Sequence, residues 1–392
     1  MTIFAPFKAA QIAFFARLRL GVYTKSIPES IAKSKEILTW TPFKNSNNLQ
    51  ARSPYFYKPW ISELKKCHKN GGYRNLFGKF YWSHRKLQYF NFKNNTYGGI
   101  PEVITEVLLC KLSNIKYTPN AIRHNDVSKY TFKVQKNASI KYDFEDAIAF
   151  NFGGANFFQH FVQDCLPVIA SAKDFLKTHS EITLLLPKPY KNFMSRNELI
   201  SMLGITNSIF DTEHKPLLIK NLYYFDFKPF PAKYALPTVY YKKLNQELKL
   251  NVEEQNKVVL ITRNERTRNI KNIDQVMLFL ENFSRLNNLD LVVINSSTAT
   301  FFDYQSNLAS AKVIISMHGG ACLNLMFANT DAVFFEFLPI SGTDSTIDFV
   351  RKMGILAVPV PLNFVKNQID PITISHKTLT EIEKIYNEIN LK

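Results

Sequence analysis

Five short apolar runs constrain the carboxyl half of this chain more than any other feature. KVVLI (257–261), LDLVVI (289–294), KVIIS (312–316), AVFFEF (332–337) and ILAVPV (355–360) recur with helical segments between them. Runs so brief and so continuously apolar predict strands buried on both faces. That requires a parallel sheet covered by helices on either side. After the first run, Ile273, Val276, Met277 and Leu280 repeat at helical spacing, and Asn272 stands where an N-cap belongs.

A second, less regular alternation precedes this one. KYTFKVQ (129–135), DAIAFNF (146–152), ITLLL (182–186) and LLIKNLYYF (217–225) read as strands, with helices over 156–176 and 192–203. The proline-rich FKPFPAKYALP (227–237) reads as a connection, because proline interrupts both helix and sheet. At 392 residues the chain exceeds one ordinary hydrophobic core, so two domains are expected. The expected fold is α/β, with an amino-terminal Rossmann-like domain over 101–240 and a second over 250–375. A basic, aromatic region over 1–100 precedes them, and a helix within 376–392 follows.

Charge is concentrated at the start. Residues 1–100 hold 17 Lys and Arg against 3 Asp and Glu, a balance of +14 out of the chain's +17. Such a surface attracts something anionic, whether phospholipid, acidic polysaccharide or nucleic acid. The opening FAPFKAAQIAFFARLRL mixes Phe and Leu with Lys8, Arg17 and Arg19; as a helix it either lies in a membrane interface or packs on its own domain. No uninterrupted apolar run is long enough to span a bilayer, and the start lacks the order of a secretory signal. Cys67, Cys110, Cys165 and Cys322 are scattered without zinc spacing and read as free thiols in a reducing, cytoplasmic setting.

Four stretches carry residues suited to chemistry. His318-Gly319-Gly320 follows one predicted strand and precedes a helix over 321–328. Ligands of open α/β sheets bind at that carboxyl edge, and glycines with a helix N-terminus suit a diphosphate. A plain turn also needs such glycines. TRNERTRNIKN (262–272) puts Arg263, Arg266 and Arg268 at another strand's end, where guanidinium groups can grip phosphate or simply be solvated. Glu336, inside an apolar run, either holds ribose hydroxyls or is a buried carboxylate paired with Lys or Arg. His160 and Asp164 in NFFQHFVQDCLP (156–167) share a helix face, as a general base and its partner must. Neither GxGxxG nor GxxxxGK(S/T) occurs after a strand, which disfavours dehydrogenases and P-loop ATPases.

Together these stretches resemble glycosyltransferase family 61. NFFQHFVQDCLP is similar to its amino-terminal signature, roughly N-(Y/F)-x-H-(F/W)-x-x-D-x-L-P. Arg263, Arg268, Ile270 and Asn272 fall in step with its arginine motif, S-R-x4-R-R-I-x-N, where Asn269 replaces the second arginine of the pair. The run 308–339 is similar to the family's final motif, which contains H-G-A-G-L-(T/S)-N and ends in E-(I/L)-x-P. Here His318, Gly319, Asn324 and Glu336 match, Gly320 replaces alanine, Ala321 and Cys322 replace Gly-Leu, and Asp331 replaces glycine. The resemblance covers 151–361 in patches and none of 1–100.

The resemblance implies a GT-B-like fold, two Rossmann-like domains facing across a cleft, with a C-terminal helix crossing back to the first. It also implies an inverting transferase without a cofactor, using a nucleotide sugar, UDP-linked by preference, as co-substrate. The donor would be held by Arg263, Arg268, His318, Gly319, Gly320, Asn324 and Glu336, and the acceptor deprotonated by Asp164 or His160. No Asp-x-Asp motif is present, so positive charge from arginine and backbone amides would replace a metal on the diphosphate. Asp143, Glu145 and Asp146 read as a solvated turn. The expected partners are the donor, a glycan or lipid-linked acceptor of a bacterial capsule or lipopolysaccharide, and an anionic inner-membrane surface, with no nucleic acid. A sugar-nucleotide epimerase would share the sheets but need no acceptor. A nucleic-acid or polyanion binder is suggested by charge alone, without a recognised binding motif.

Overall fold

The computed structural model describes residues 36–38, 51–52, 55, 57–60, 62, 90–91, 96–97, 106–118, 131–134, 141–150, 155–189, 195–213, 215–228, 236–263, 269–338, 345–362 and 371–390. The chain divides into two compact units, Met1–Lys44 with Glu102–Pro237, and Asn45–Pro101 with Thr238–Lys392. The opening amphipathic segment, Cys67, Gly153, Gly154, Arg266, Arg268 and the connection over 229–235 lie outside the described residues.

The strands before the second sheet are β1 (Glu36–Leu38), β2 (Phe90–Asn91), β3 (Thr96–Tyr97), β4 (Glu106–Thr118), β5 (Thr131–Val134), β6 (Phe144–Ala149), β7 (Thr183–Pro187), β8 (Ile209–Thr212) and β9 (Leu217–Lys228). β2 and β3 form a small antiparallel pair. The others form one sheet in the order β1-β4-β9-β6-β7-β8, with β5 also on β4. β9, β6, β7 and β8 run parallel, whereas β4 is antiparallel to β9, β1 and β5. The first unit is therefore α/β, but its sheet is mixed rather than wholly parallel.

The composition of β4 explains this. Leu112, Ile115 and Tyr117 are buried among Lys111, Ser113, Asn114 and Lys116, which are exposed or half-buried. An antiparallel strand tolerates one wet face; a parallel strand under helices does not. The acidic trio also departs from expectation. Glu145 and Asp146 lie in β6 rather than a turn, facing Lys220 and Tyr223 of β9, and Asp143 accepts from the Leu218 amide.

The second sheet contains β10 (Lys257–Thr262), β11 (Asp290–Asn295), β12 (Ala311–Met317), β13 (Val333–Leu338) and β14 (Leu356–Pro361). Its order is β11-β10-β12-β13-β14 and every pair is parallel. All five apolar runs became strands, displaced by about one residue. Because β11 and β12 flank β10 on opposite sides, the connections after β10 and β12 diverge. A crevice opens at the carboxyl ends of such a strand pair.

Helix Ile273–Leu286 buries Val276 and Leu280 of the expected face, leaves Ile273 and Met277 half-buried, and adds Phe283 further along. Asn272 occupies the cap position but makes no side-chain cap. Its carboxamide instead exchanges hydrogen bonds with backbone Ile374, donating at 2.8 Å and accepting at 2.9 Å. With the Ile270–Ile372 bridge, this sews the end of the arginine motif to the segment before the last helix. That helix, His376–Asn390, belongs to the second unit, where Tyr386 packs edge-on to Phe283 at 5.1 Å.

The same unit takes in part of the basic amino-terminal region. The Tyr55 amide donates to the Ala357 carbonyl of β14, the edge of the sheet, and the Arg52 amide to the Arg351 carbonyl in helix Ser345–Met353. The Arg52 guanidinium reaches the carbonyls of Thr330 and Gly354. Tyr55 Oη donates to Glu388 at 2.7 Å, and buried Trp60 donates from Nε1 to Glu381. An uncovered edge strand invites pairing with other chains, and Tyr55 occupies one carbonyl of this edge.

Candidate active site

In the first unit, His160 and Asp164 are both buried, at 8% and 7% exposure. His160 Nδ1 lies 3.1 Å from Asp164 Oδ2. The helix expected over 156–176 is broken into α-helix Phe158–His160, π-helix Phe161–Cys165, and α-helices Leu166–Ser171 and Lys173–Thr178. Pro167 accounts for the wide turn. Proline offers no amide hydrogen and clashes with the carbonyl four residues back, so a regular α-helix cannot run through Gln163–Pro167. The backbone widens to a π turn, and Pro167 falls in the first turn of the next helix, where no donor is needed. Cys165, within that turn, is wholly buried with Sγ toward the Phe150 carbonyl at 3.7 Å, and burial pushes its thiol well up.

In the second unit, Arg263 directly follows β10 and His318 directly follows β12, the two strands that flank the crevice. The His318 amide donates to the Phe337 carbonyl at 3.0 Å, extending the β12–β13 pairing by one residue. Ser316 and His318 are two apart and so share a sheet face, and Glu336 lies beside Ser316 in register. This puts Glu336 next to the histidine. Its Oε1 lies 2.6 Å from His318 Nδ1, with Glu336 at 0% exposure. Glu336 is thus a buried carboxylate, but its partner is a histidine and not the expected Lys or Arg.

Gly319 has φ 155° and ψ −174°, a region open essentially to glycine alone. At Gly320 a Cβ would meet nothing within 4 Å, so an alanine fits there without rearrangement. The expected α-helix is instead a 3₁₀-helix, Gly320–Phe327, whose residues from Ala321 on are buried. Asn245 of helix Thr238–Leu248 anchors its far end through the Met326 and Ala328 carbonyls. Asn324 donates to the Ala321 carbonyl, while its Oδ1 is buried without a hydrogen-bond partner among the described residues.

Two neighbours went unread in the sequence as parts of this site. Cys322 Sγ lies 3.2 Å from the Met317 carbonyl and 3.5 Å from Ser316 Oγ. Burial, assisted by the Glu336 carboxylate, pushes its thiol up to about 12, while Arg263 acts against the rise. Tyr304, on helix Phe301–Ala309, is raised to about 12 by burial; Asn324 and Arg263 oppose that, although Tyr304 and Asn324 do not align as a hydrogen bond. The capping box of Thr300 with Asp303 was the available signal for that helix. Glu336 and Arg263 thus both act on Cys322, Asn324 and Arg263 act on Tyr304, and His318 joins them through Glu336, whereas Arg268 lies outside the described residues.

Among the described residues no cluster of His, Cys, Asp and Glu is arranged to hold a metal ion, and no helix is long and apolar enough to cross a membrane. Cys110, Cys165 and Cys322 are buried thiols that form no disulfide among the described residues.

Residues 158–335 match the family model described as Glycosyltransferase 61, in agreement with the motif resemblance. No curated protein matches the chain significantly. Among solved structures, a diflavin flavoprotein A3 from Nostoc sp. is 11% identical, covering 35% of this chain and 92% of its own, with a TM-score of 0.25. A flavodoxin from Streptococcus pneumonia TIGR4 is also 11% identical, covering 34% and 97%, with a TM-score of 0.23. Rubredoxin oxygen:oxidoreductase from Desulfovibrio gigas is 11% identical, covering 59% and 50%, at 0.26. Likenesses this slight carry no functional argument.

Proposed function

From the Glycosyltransferase 61 match over residues 158–335, we propose that this glycosyltransferase inverts the anomeric centre as it moves a sugar from a nucleotide sugar to a glycan acceptor. The observation that carries the donor side is the position of Arg263 and His318, at the carboxyl ends of the two strands bounding the crevice. Positive charge there suits a departing diphosphate, and the Gly319-Gly320 backbone permits close approach. Arg268 would add a second guanidinium, and Asn324 a carboxamide. The acceptor side rests on the buried His160–Asp164 pair, a proton acceptor with its partner. In a single displacement the acceptor oxygen bonds to the anomeric carbon, its proton passes to that pair, and the diphosphate leaves with the bonding electrons.

The finer reading includes a GT-B arrangement, a UDP-linked donor, no cofactor and no metal. It also includes an acceptor in bacterial capsule or lipopolysaccharide synthesis, made at the cytoplasmic face of the inner membrane. The +14 balance of residues 1–100 supports an anionic surface or acceptor as partner. Stronger pelleting with anionic than neutral vesicles, weakened by salt, is the expected result; equal pelleting would remove the membrane from the proposal.

Calorimetry with UDP, and transfer assays from UDP-sugars with and without EDTA, test the enzyme directly. Arg263→Ala and His318→Ala should each weaken UDP binding by about 1.5–3 kcal/mol, roughly 10- to 150-fold. Unchanged affinity in both would remove the donor site from this edge. Activity lost to EDTA and restored by manganese would overturn metal independence.

A further inference from the structure

The second sheet has two edge strands, and they differ in how they meet their surroundings. At β14, Ala357 to Pro361 are all buried, Pro359 and Pro361 carry no amide hydrogen, and Tyr55 occupies the Ala357 carbonyl. β11 has none of these devices. Its sequence DLVVIN contains no proline, lysine or arginine, and its one charge stands at the first position. Among the described residues nothing pairs with its outer side. Prolines, lysines and covering segments are what keep natural edge strands apart, so an edge without them is suited to pairing.

The backbone determines the register such pairing can take. The Asp290 amide donates to the Asn256 carbonyl and the Ser296 amide to the Thr262 carbonyl, both toward β10. Successive residues of a strand turn their backbone groups to alternate sides, so Leu291, Val293 and Asn295 face outward. The Asn295 carbonyl accepts from the Thr298 and Ala299 amides, which leaves its amide, and both groups of Leu291 and Val293, along the edge. We propose that this edge is a homodimer interface, where β11 pairs antiparallel with β11 of a second copy about a twofold axis at Val293. The two Val293 residues exchange a pair of hydrogen bonds at the axis, and each Asn295 amide meets the Leu291 carbonyl of the other copy. Asp290 then falls opposite Ser296, so the strand's one charged side chain meets no like charge. This compatibility of the edge with itself singles out a second copy as the occupant. Val293 is 44% exposed, and Leu278 and Leu286 on the preceding helix and Phe302 on the following one are exposed as well. Covering apolar side chains drives association, while the main-chain bonds fix register. A twofold contact is isologous and closes at two copies, joining two five-stranded sheets into one.

Sedimentation equilibrium across a concentration series should give twice the chain mass of 45.3 kDa. Val293→Lys sets two ammonium groups against each other at the axis and should raise the dimer dissociation constant by about tenfold or more. Val293→Cys reads the register directly. Opposed Cα atoms of a hydrogen-bonded antiparallel pair lie about 5.5 Å apart, within the span of a disulfide. Mild oxidation should therefore yield a covalent dimer on a non-reducing gel. Wild-type protein and Leu250→Cys, an exposed position outside β11 and its two flanking helices, should not yield one. A monomer at every concentration would overturn the proposal, as would larger open assemblies. A folded Val293→Lys protein with undiminished dimerisation would overturn it too, and so would a wild-type dimer whose Val293→Cys variant forms no covalent link. Should Val293→Lys not fold, the wild-type mass and the Val293→Cys link decide. None of these measurements depends on the transferase reading.

Discussion

His160 Nδ1 lies 3.1 Å from Asp164 Oδ2 across a π-helical turn that Pro167 forces open. Both side chains are buried, so the pair is insulated from bulk water rather than spread on a surface. If Asp164 takes the acceptor's proton, Asp164→Asn should lower turnover by about 10²- to 10⁴-fold while UDP affinity stays unchanged. His160→Ala should cost less if the ring only positions the acceptor. Steady-state kinetics of both variants decide the roles. Near-normal Asp164→Asn turnover with an inactive His160→Ala would reverse them, and two active variants would make this helix a scaffold.

Adjacent glycines after β12 should behave oppositely. Gly319 occupies backbone space that other residues avoid, so Gly319→Ala should destabilise the protein by about 1–3 kcal/mol. At Gly320 an added Cβ meets open space, so Gly320→Ala should leave the melting temperature almost unchanged. Calorimetric melting of the two single variants is a direct comparison. Equal losses would mean that the turn is constrained differently.

The Cys322 thiol should be inert at pH 8, since burial raises it from 9.0 to about 12. Mass spectrometry after iodoacetamide treatment of native protein should find it unmodified, and labelled after denaturation. The raised value also sets a sign. The neutral thiol's contribution to stability is complete below about 9 and is lost as pH climbs from there through about 12. Melting temperature should therefore fall less steeply with pH in Cys322→Ala than in the wild-type protein above pH 9. Parallel slopes would contradict the shift.

Trp60 offers a test of the segment that meets β14. It is 3% exposed and its indole donates to Glu381. Trp60→Ala should cost about 3–5 kcal/mol, the range for removing a large buried aromatic group. Urea denaturation would register this as an earlier unfolding midpoint. An unchanged midpoint would make the segment an ornament on an independently stable unit.

The sequence disclosed the second sheet more fully than the first for a physical reason. Strands such as Val333–Leu338 are buried at every position and stand out as unbroken apolar runs. Strand Glu106–Thr118 mixes buried Leu112, Ile115 and Tyr117 with polar residues, and Asn114 interrupts it at φ 57°. No such run marks it, so an antiparallel centrepiece of the first sheet went unread. The four-residue spacing of His160 and Asp164 correctly gave their proximity, but the nearby Pro167 should have ruled out one continuous helix. His318 was legible from its glycines. Its bond to Glu336 was not, because it depends on the register between two parallel strands, which neither stretch encodes alone.

The hydrogen bond from Tyr55 to Glu388 joins positions 333 residues apart. During synthesis, at roughly 5–20 residues per second, Tyr55 would leave the ribosome well ahead of the helix it must meet. The delay is on the order of 15–70 seconds at those rates. Throughout that interval the early segment has no native partner for Trp60, and β14 does not yet exist. A gene truncated after the second sheet's first strands would therefore strand an aromatic amino-terminal segment as well as an unfinished sheet. Sewing the unit shut is among the last events of its birth, and chaperone dependence should fall most heavily on that final step.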